Sequence, residues 1–257
     1  MSGLLEVAWR QHIGDREEQQ DAARVNMLPR VFAGEPERRL LVVADGMGGM
    51  ASGALAARTA VQSLRKHVVG AWSSERTRID QLGGAFHQTH IDVKRALAGA
   101  NGGCALTACY VRGGPGGIAC FAHAGDVMGM LLRRAGSRPP WMPANYRVVH
   151  RTVPHRHGRH ALSRCIGTQQ ADRDEAQVTE DLPLEQGDLI VLASDGVADS
   201  VDEAFMLRLA KANPSAPTLA TALLTAALRA APTGRDDATV MVARINIGFL
   251  RYAGSLR

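Results

Sequence analysis

Two consecutive helical segments, about 53–69 and 75–98, are followed at once by three short apolar runs parted by glycine: "CALTACYVRGG", "GIACFAHAGD" and "VMGMLLRRAG". This change of period in mid-chain constrains the fold more than any other feature. Apolar runs of this length with Gly turns between them read as an antiparallel meander. Ahead of the helices, "LLEVAWRQHIG" alternates loosely as a first strand, and "RLLVVAD" is a continuous apolar run that reads as a buried one. Behind the meander, "AQVTEDLPLEQGDLIVLASDG" reads as a strand pair turning at "EQGD". Two helical segments follow, about 202–212 and 217–230, and "DDATVMVARINI" closes the chain's pattern as a strand. The order is not the strict βαβα alternation of a parallel, doubly wound sheet. It predicts an α+β fold of two mainly antiparallel sheets with a helix pair outside each, a four-layer α-β-β-α sandwich. No repeat and no linker composition interrupts residues 1–257, which read as a single domain.

Aromatic residues make up only 4% of the chain, so a core must be assembled from Ala, Val and Leu. The Ala-rich helix near 219–231 accordingly reads as a packing element. In the first helix Ser52 reads as the N-cap. There Ala56, Ala60 and Leu64 fall on one side, and Leu55, Thr59, Gln62 and Lys66 on another. The net charge of +5 comes largely from arginines scattered through loops such as "RRAGSR" and "PHRHGRH". No basic run is interleaved with stacking aromatics, which argues against a nucleic-acid partner. Cys104, Cys109, Cys120 and Cys165 form no C-x-x-C pair and read as buried, reduced small hydrophobes. No stretch is long and apolar enough for a membrane span, and the first residues lack the basic start and apolar core of a signal peptide. A reducing cytoplasm is the expected location.

The chemistry sits in carboxylates at strand ends. Asp45 closes an apolar run and is followed by Gly46, Gly48 and Gly49; a hairpin reading of Asp-Gly fails because the next segment is helical. Asp195-Gly196 repeats the device after "DLIVLAS". Asp236 and Asp237 directly precede the last strand, Asp21 follows the first, and Asp126 lies at a strand-to-strand turn. Each is weak evidence alone. If the strands converge, however, like charges crowd together and must be neutralised. Hard divalent cations do that, and an all-oxygen set suits Mg²⁺ or Mn²⁺ better than Zn²⁺. Two such ions can activate a shared water and polarise a phosphoryl group.

Taken together, "REEQQDA" (16–22), "DGMGG" (45–49), "AGD" (124–126), "SDG" (194–196) and "GRDDATV" (234–240) resemble the metal-dependent protein serine/threonine phosphatases, the PPM or protein phosphatase 2C family, in order and approximate spacing. "CALTACYV" (104–111) stands where that family has a Gly-Thr-Thr-Ala strand, and "ALSRCIGT" (161–168) resembles its Leu-Thr-Arg-Ala-Leu-Gly segment. The resemblance covers almost the whole chain and implies a β-sandwich flanked by helix pairs. It implies that Asp45 bridges two Mn²⁺ or Mg²⁺ ions and that the Gly46 carbonyl binds one of them. Asp195 and Asp236 would hold one metal, and Asp21 would act near the other through water. Asp126 with Asp195 would match a weaker third position. Arg16 would grip substrate phosphate, a task suited to the guanidinium fork. The implied partner is a phosphorylated protein, a Ser/Thr kinase or its targets.

Met47 stands where eukaryotic relatives often carry His, Val127-Met128 replace Ser-Arg and Asp237 replaces Asn, while Gln20, where the family often has Glu or Gln, is neutral and can only hydrogen-bond a metal's water. Met47 matches bacterial relatives and leaves proton donation to a water. The alternatives from other classes are a phosphatase-like module that binds a phosphoprotein or regulator without turnover, and a hydrolase of small phosphate esters. Residues 136–160, rich in Pro, Arg and His, show no period and read as a surface loop or flap. His155, His157 and His160 within them read as a solvated basic loop rather than a metal cluster. His123 reads as a hydrogen-bonded core histidine.

Overall fold

A computed structural model describes residues 5–29, 34–48, 50–70, 77–136, 142–157, 161–168 and 176–246. Strands β1 (Leu5–His12), β2 (Asp21–Met27) and β3 (Arg38–Gly48) lead into helices α1 (Met50–Gly70) and α2 (Arg78–Leu97). Then come β4 (Gly102–Arg112), β5 (Ile118–Ala124), β6 (Met128–Arg134), β7 (Tyr146–Arg151) and the two-residue strands β8 (Arg156–His157), β9 (Ala161–Leu162), β10 (Gln177–Val178) and β11 (Leu182–Pro183). Strand β12 (Leu189–Ala193), helices α3 (Asp195–Ala198), α4 (Glu203–Ala212) and α5 (Ala216–Ala230), and β13 (Ala238–Ile245) complete the set. One sheet runs β1-β13-β12-β6-β7 and the other β10-β5-β4-β3-β2, with β11 also on β5. The pairings along both are antiparallel.

Period-two alternation explains how the sheets stack. On β3, Leu40, Val42 and Ala44 meet Ala57, Ala60, Leu64 and Phe86 of α1 and α2, while Leu41 and Val43 face the other sheet beside Leu131, Ile190, Leu192 and Met241. On the far side, Val191, Ala193, Val240 and Val242 pack against Met206, Leu219 and Leu223 of α4 and α5. Three apolar seams between four layers account for "RLLVVAD" being apolar at every position, since both of its faces are covered. The expected α-β-β-α sandwich is what the chain forms. Alanines dominate the outer seams, which lets helix and sheet approach closely without aromatic bulk. The four cysteines are free and buried.

Several local expectations need correction. Strand β3 runs through Asp45 to Gly48, and α1 starts at Met50, so Ser52 lies inside the helix and does not cap it. The opposite faces of α1 fall as expected: Ala56, Ala60 and Leu64 are fully buried and Leu55 is exposed. The second helix starts later than 75, at Arg78, where the Thr77 side chain accepts from the Asp80 amide. The three apolar runs after α2 are not one meander: β4 and β5 pair in one sheet, but the chain crosses at 125–127 and β6 pairs with β12 and β7 in the other. Likewise "EQGD" joins β11 of one sheet to β12 of the other and closes no hairpin. Residues 136–160 are not all loop, because β7 forms a half-buried edge strand.

Candidate active site

Both sheets contribute carboxylates to one end of the sandwich. The β2–β3 register sets Asp21 directly opposite Asp45. In the other sheet β12 ends at Ala193, so Asp195 opens α3, and Asp236 and Asp237 enter neighbouring β13. The crossover from β5 to β6 supplies Asp126. Thus Asp21, Asp45, Gly46, Asp126, Asp195 and Asp236, drawn from far apart in the chain, meet at one place, with Arg16 beside them.

The two Asp-Gly pairs have a steric reason as well. A Cβ on Gly46 would lie 2.3 Å from the Gly53 carbonyl oxygen of α1, and one on Gly196 would lie 2.2 Å from that of Asp237. A glycine after each aspartate lets a second backbone close over it.

Hydrogen bonds knit the sheets together here. Ser194 Oγ donates to Asp21 Oδ2 (2.7 Å) and accepts from the Thr239 amide (2.9 Å). The Gln20 amide donates to Asp237 Oδ2 (2.7 Å), and the Asp237 amide to Asp236 Oδ1 (2.7 Å). Asp45 and Asp195 approach within hydrogen-bonding reach across the gap between the sheets. Burial, then the neighbouring carboxylates, pushes Asp21 up to about 7 and Asp195 up to about 6. The same causes, burial foremost, hold Asp45 well above the carboxylate range and raise Asp237 as well.

Arginines come to this cluster from two sides. Arg16 Nη2 donates to Asp236 Oδ2 (2.7 Å) and its Nη1 to Gln20 Oε1. The Arg16 loop is held by the Asp15 amide on the Arg235 carbonyl (3.0 Å) and by the Arg235 amide on Asp15 Oδ2 (3.0 Å). Arg156 Nε donates to Asp126 Oδ2 (2.6 Å) and Nη1 to Asp199 Oδ2 (2.9 Å), with Nη2 3.8 Å from Asp195 Oδ2.

A divalent cation fits this donor set. Asp21 Oδ1, Asp195 Oδ1 and Asp237 Oδ1 are buried oxygens without a hydrogen-bond partner among the described residues. Such orphans are costly unless something else binds them. Every donor is a hard oxygen, as Mg²⁺ and Mn²⁺ prefer. Among the described residues no three His, Cys, Asp or Glu side chains are drawn tight enough to grip an ion as they stand.

The sequence model of the family described as "Protein phosphatase 2C" matches residues 10–230. The chain belongs to the protein phosphatase 2C family. It is a metal-dependent serine/threonine phosphatase, and the acid cluster lies within the matched segment except for Asp236 and Asp237 just beyond it. No curated protein matches it significantly in sequence. Solved structures share the phosphatase fold. The phosphatase MsPP of Mycobacterium smegmatis, solved with cacodylate, is 23% identical with a TM-score of 0.66, over 95% of this chain and 99% of that one. The catalytic domain of the phosphatase PstP, solved with two manganese ions, is 24% identical with a TM-score of 0.68, over 94% and 98%. The S. agalactiae serine/threonine phosphatase is 21% identical with a TM-score of 0.71, over 94% and 99%.

Residues that the pattern of acids did not single out also line the candidate site. Ser194 orients Asp21, and Asp199 and Arg156 pair at its edge. Ser194 and Asp199 could have been found from their places beside Asp195; Arg156, in an aperiodic stretch, gave no signal. His155 is half-buried rather than fully solvated, its ring stacking on His123 at 4.4 Å between centroids. Burial lowers His155 to about 4, so it is neutral. His123 is buried, with Nε2 on the Val153 carbonyl at 2.9 Å. His157 is exposed; His160 and Gly49 lie outside the described residues.

Proposed function

We propose that this phosphatase removes phosphate from phosphoserine and phosphothreonine of protein substrates at the Asp21–Asp45–Asp195–Asp236 cluster, taking residues 1–257 as one catalytic domain in the cytoplasm. One observation carries the assignment: buried carboxylate oxygens of Asp21, Asp195 and Asp237 face one another without partners, beside an arginine at the rim. In this reading Asp45, the Gly46 carbonyl, Asp195 and Asp236 would hold two Mn²⁺ or Mg²⁺ ions, and Asp21, bonded by Ser194, would orient water beside them. When bound, such ions lower the pKa of a water and polarise the phosphoryl group.

The chain's own groups do the rest. Arg16 is the cationic side chain bonded to Asp236, and its fork matches two phosphoryl oxygens. Arg16, bonded to Asp236 in this structure, would exchange that carboxylate for two phosphoryl oxygens and orient the phosphorus for attack. Gln20 accepts from Nη1 and keeps the guanidinium plane fixed. Among the described residues the hydroxyl nearest the acids is that of Ser194, which is fully buried and bonded to Asp21 and the Thr239 amide, so we read hydrolysis as direct attack by water without a phospho-enzyme. Met47 has no proton to give, and the departing hydroxyl takes its proton from water. The substrate is a phosphoprotein, with a Ser/Thr kinase or one of its targets the partner of choice. No described helix is long and apolar enough to cross a membrane.

The test is Mn²⁺-dependent release of phosphate from a phosphorylated kinase loop, with a phosphotyrosine peptide and a nucleotide as controls. Turnover of the phosphothreonine peptide that vanishes in Asp195→Ala supports the reading. Ion binding without turnover overturns it and favours a phosphoprotein-binding module.

A further inference from the structure

The guanidinium of Arg156 lies among three carboxylates and uses all of its nitrogens on them: Nε on Asp126, Nη1 on Asp199, Nη2 toward Asp195. Asp126 is only 10% exposed and Arg156 21%, so the Nε pair is sheltered from solvent. The backbone that carries it is held on both sides. The His155 amide donates to the Gly125 carbonyl (2.9 Å), and the Gly125 amide to His155 Nδ1 (3.2 Å). The Thr152 amide donates to the Gly129 carbonyl (2.9 Å), and Thr152 Oγ1 accepts from the Gly129 amide (2.8 Å). Downstream, the Ser163 amide donates to the His155 carbonyl (2.9 Å), and β8 pairs with β9. Residues 152–157 are thereby laced to the very crossover that presents Asp126. A cation fixed by its own chain occupies the centre of an all-oxygen set that would otherwise attract a diffusible one.

We infer that Arg156 is a resident counter-cation that fills the Asp126–Asp195–Asp199 set, excludes a divalent ion from it, and leaves Asp195 turned toward the inner acids. It is a positioning residue and touches no reacting atom. The inference rests on the two-ion reading of the inner acids given above. A guanidinium suits the task for two physical reasons. It does not lose its proton at any working pH, and its planar fork reaches several carboxylates at once, which a lysine ammonium cannot. It also costs nothing when cations are scarce, because the charge is covalently attached. The outer acids thus stay neutralised at metal concentrations too low to load a weak site.

Equilibrium dialysis of the full chain against Mn²⁺, with fold checked by circular dichroism, tests this. The expected result is two ions in the wild type, a third and weaker ion in Arg156→Gln, and return to two in Arg156→Gln/Asp126→Asn. Two ions in a folded Arg156→Gln, with two in the wild type, overturn this inference alone. A third ion in the wild type that disappears in Asp126→Asn also overturns it, and needs no arginine variant to fold. A wild type that takes up no Mn²⁺ overturns the two-ion reading and this inference with it.

Discussion

The inner and outer halves of the acid cleft solve the same electrostatic problem in opposite ways. In the inner half, Asp21, Asp45 and Asp237 lie close together without an arginine on any of them, and oxygens of Asp21 and Asp237 go unpartnered. Burial, then mutual repulsion, raises Asp21, Asp45 and Asp237 above the usual carboxylate range, so each favours its protonated form more than a free aspartate does. In the outer half, Asp126 and Asp199 are paired with one guanidinium. A permanent partner stabilises charge but cannot be exchanged. A deficit left open costs stability and creates a place where an exchangeable cation binds. The chain carries a fixed charge where it needs only architecture, and an unmet demand where it needs chemistry.

Substitutions should separate the halves, beginning with the largest effect. Asp45→Asn removes a buried acid that, in the proposed reading, would hold the ions, and should lower kcat by about 10³-fold or more. Melting in a chelator should move the other way, upward, because one of the mutually repelling buried carboxylates is gone. A destabilised Asp45→Asn in chelator would break the contrast between the halves. Next, Arg16→Ala should lower kcat/KM by roughly 10- to 100-fold, as expected for a charged hydrogen bond to phosphate worth about 1.5–3 kcal/mol. Mn²⁺ stoichiometry by dialysis should be unchanged.

Thermal melting against pH is the third test. Asp21 and Asp195 bind protons more tightly folded than unfolded, where an aspartate sits near 3.8. Without metal, therefore, their stabilisation is fully present below about pH 4 and is lost as pH rises through about 6 and 7. The chelated protein should melt at lower temperature at pH 8 than at pH 5, and Mn²⁺ should reduce that slope. A rising curve in chelator would show that the inner acids are not proton-loaded. Ser194→Ala should come fourth, costing about 1–2 kcal/mol in denaturant unfolding because Asp21 Oδ2 and the Thr239 amide both lose their partner. Smallest is Asp199→Asn: at 59% exposure its pair with Arg156 is worth about 0.2–1 kcal/mol. Its melt should barely move.

Much of this was legible in the sequence, and the rest was hidden for physical reasons. The apolar runs announced their burial, and the switch from helical to short-strand periodicity announced layers rather than alternation. Nothing in "FAHAGDVMGML" tells which sheet each half joins, because both flanking strands are buried on both faces and look alike. Strand β7 escaped notice because an edge strand bearing Arg and His at half-buried positions has no apolar alternation. Acids at strand ends carry a pattern, so Asp21, Asp45, Asp126, Asp195 and Asp236 could be picked out. Arg156 could not, since its meaning lies in contacts 30 and 43 residues away. For the same reason His155 looked like a solvated histidine until His123 was found beneath it.

Asp21 and Asp45 ride on one sheet and Asp195, Asp236 and Asp237 on the other, joined at the tips by Ser194–Asp21 and Gln20–Asp237. Sliding one slab against its neighbour by even a fraction of an ångström therefore spreads the carboxylates. Crowding the seam far from the cleft, at Leu41 or Ile190, would loosen cation binding without touching a ligand, and warming would expel the cations before the chain melts. Metal affinity in this enzyme is a gauge of how well two slabs are seated.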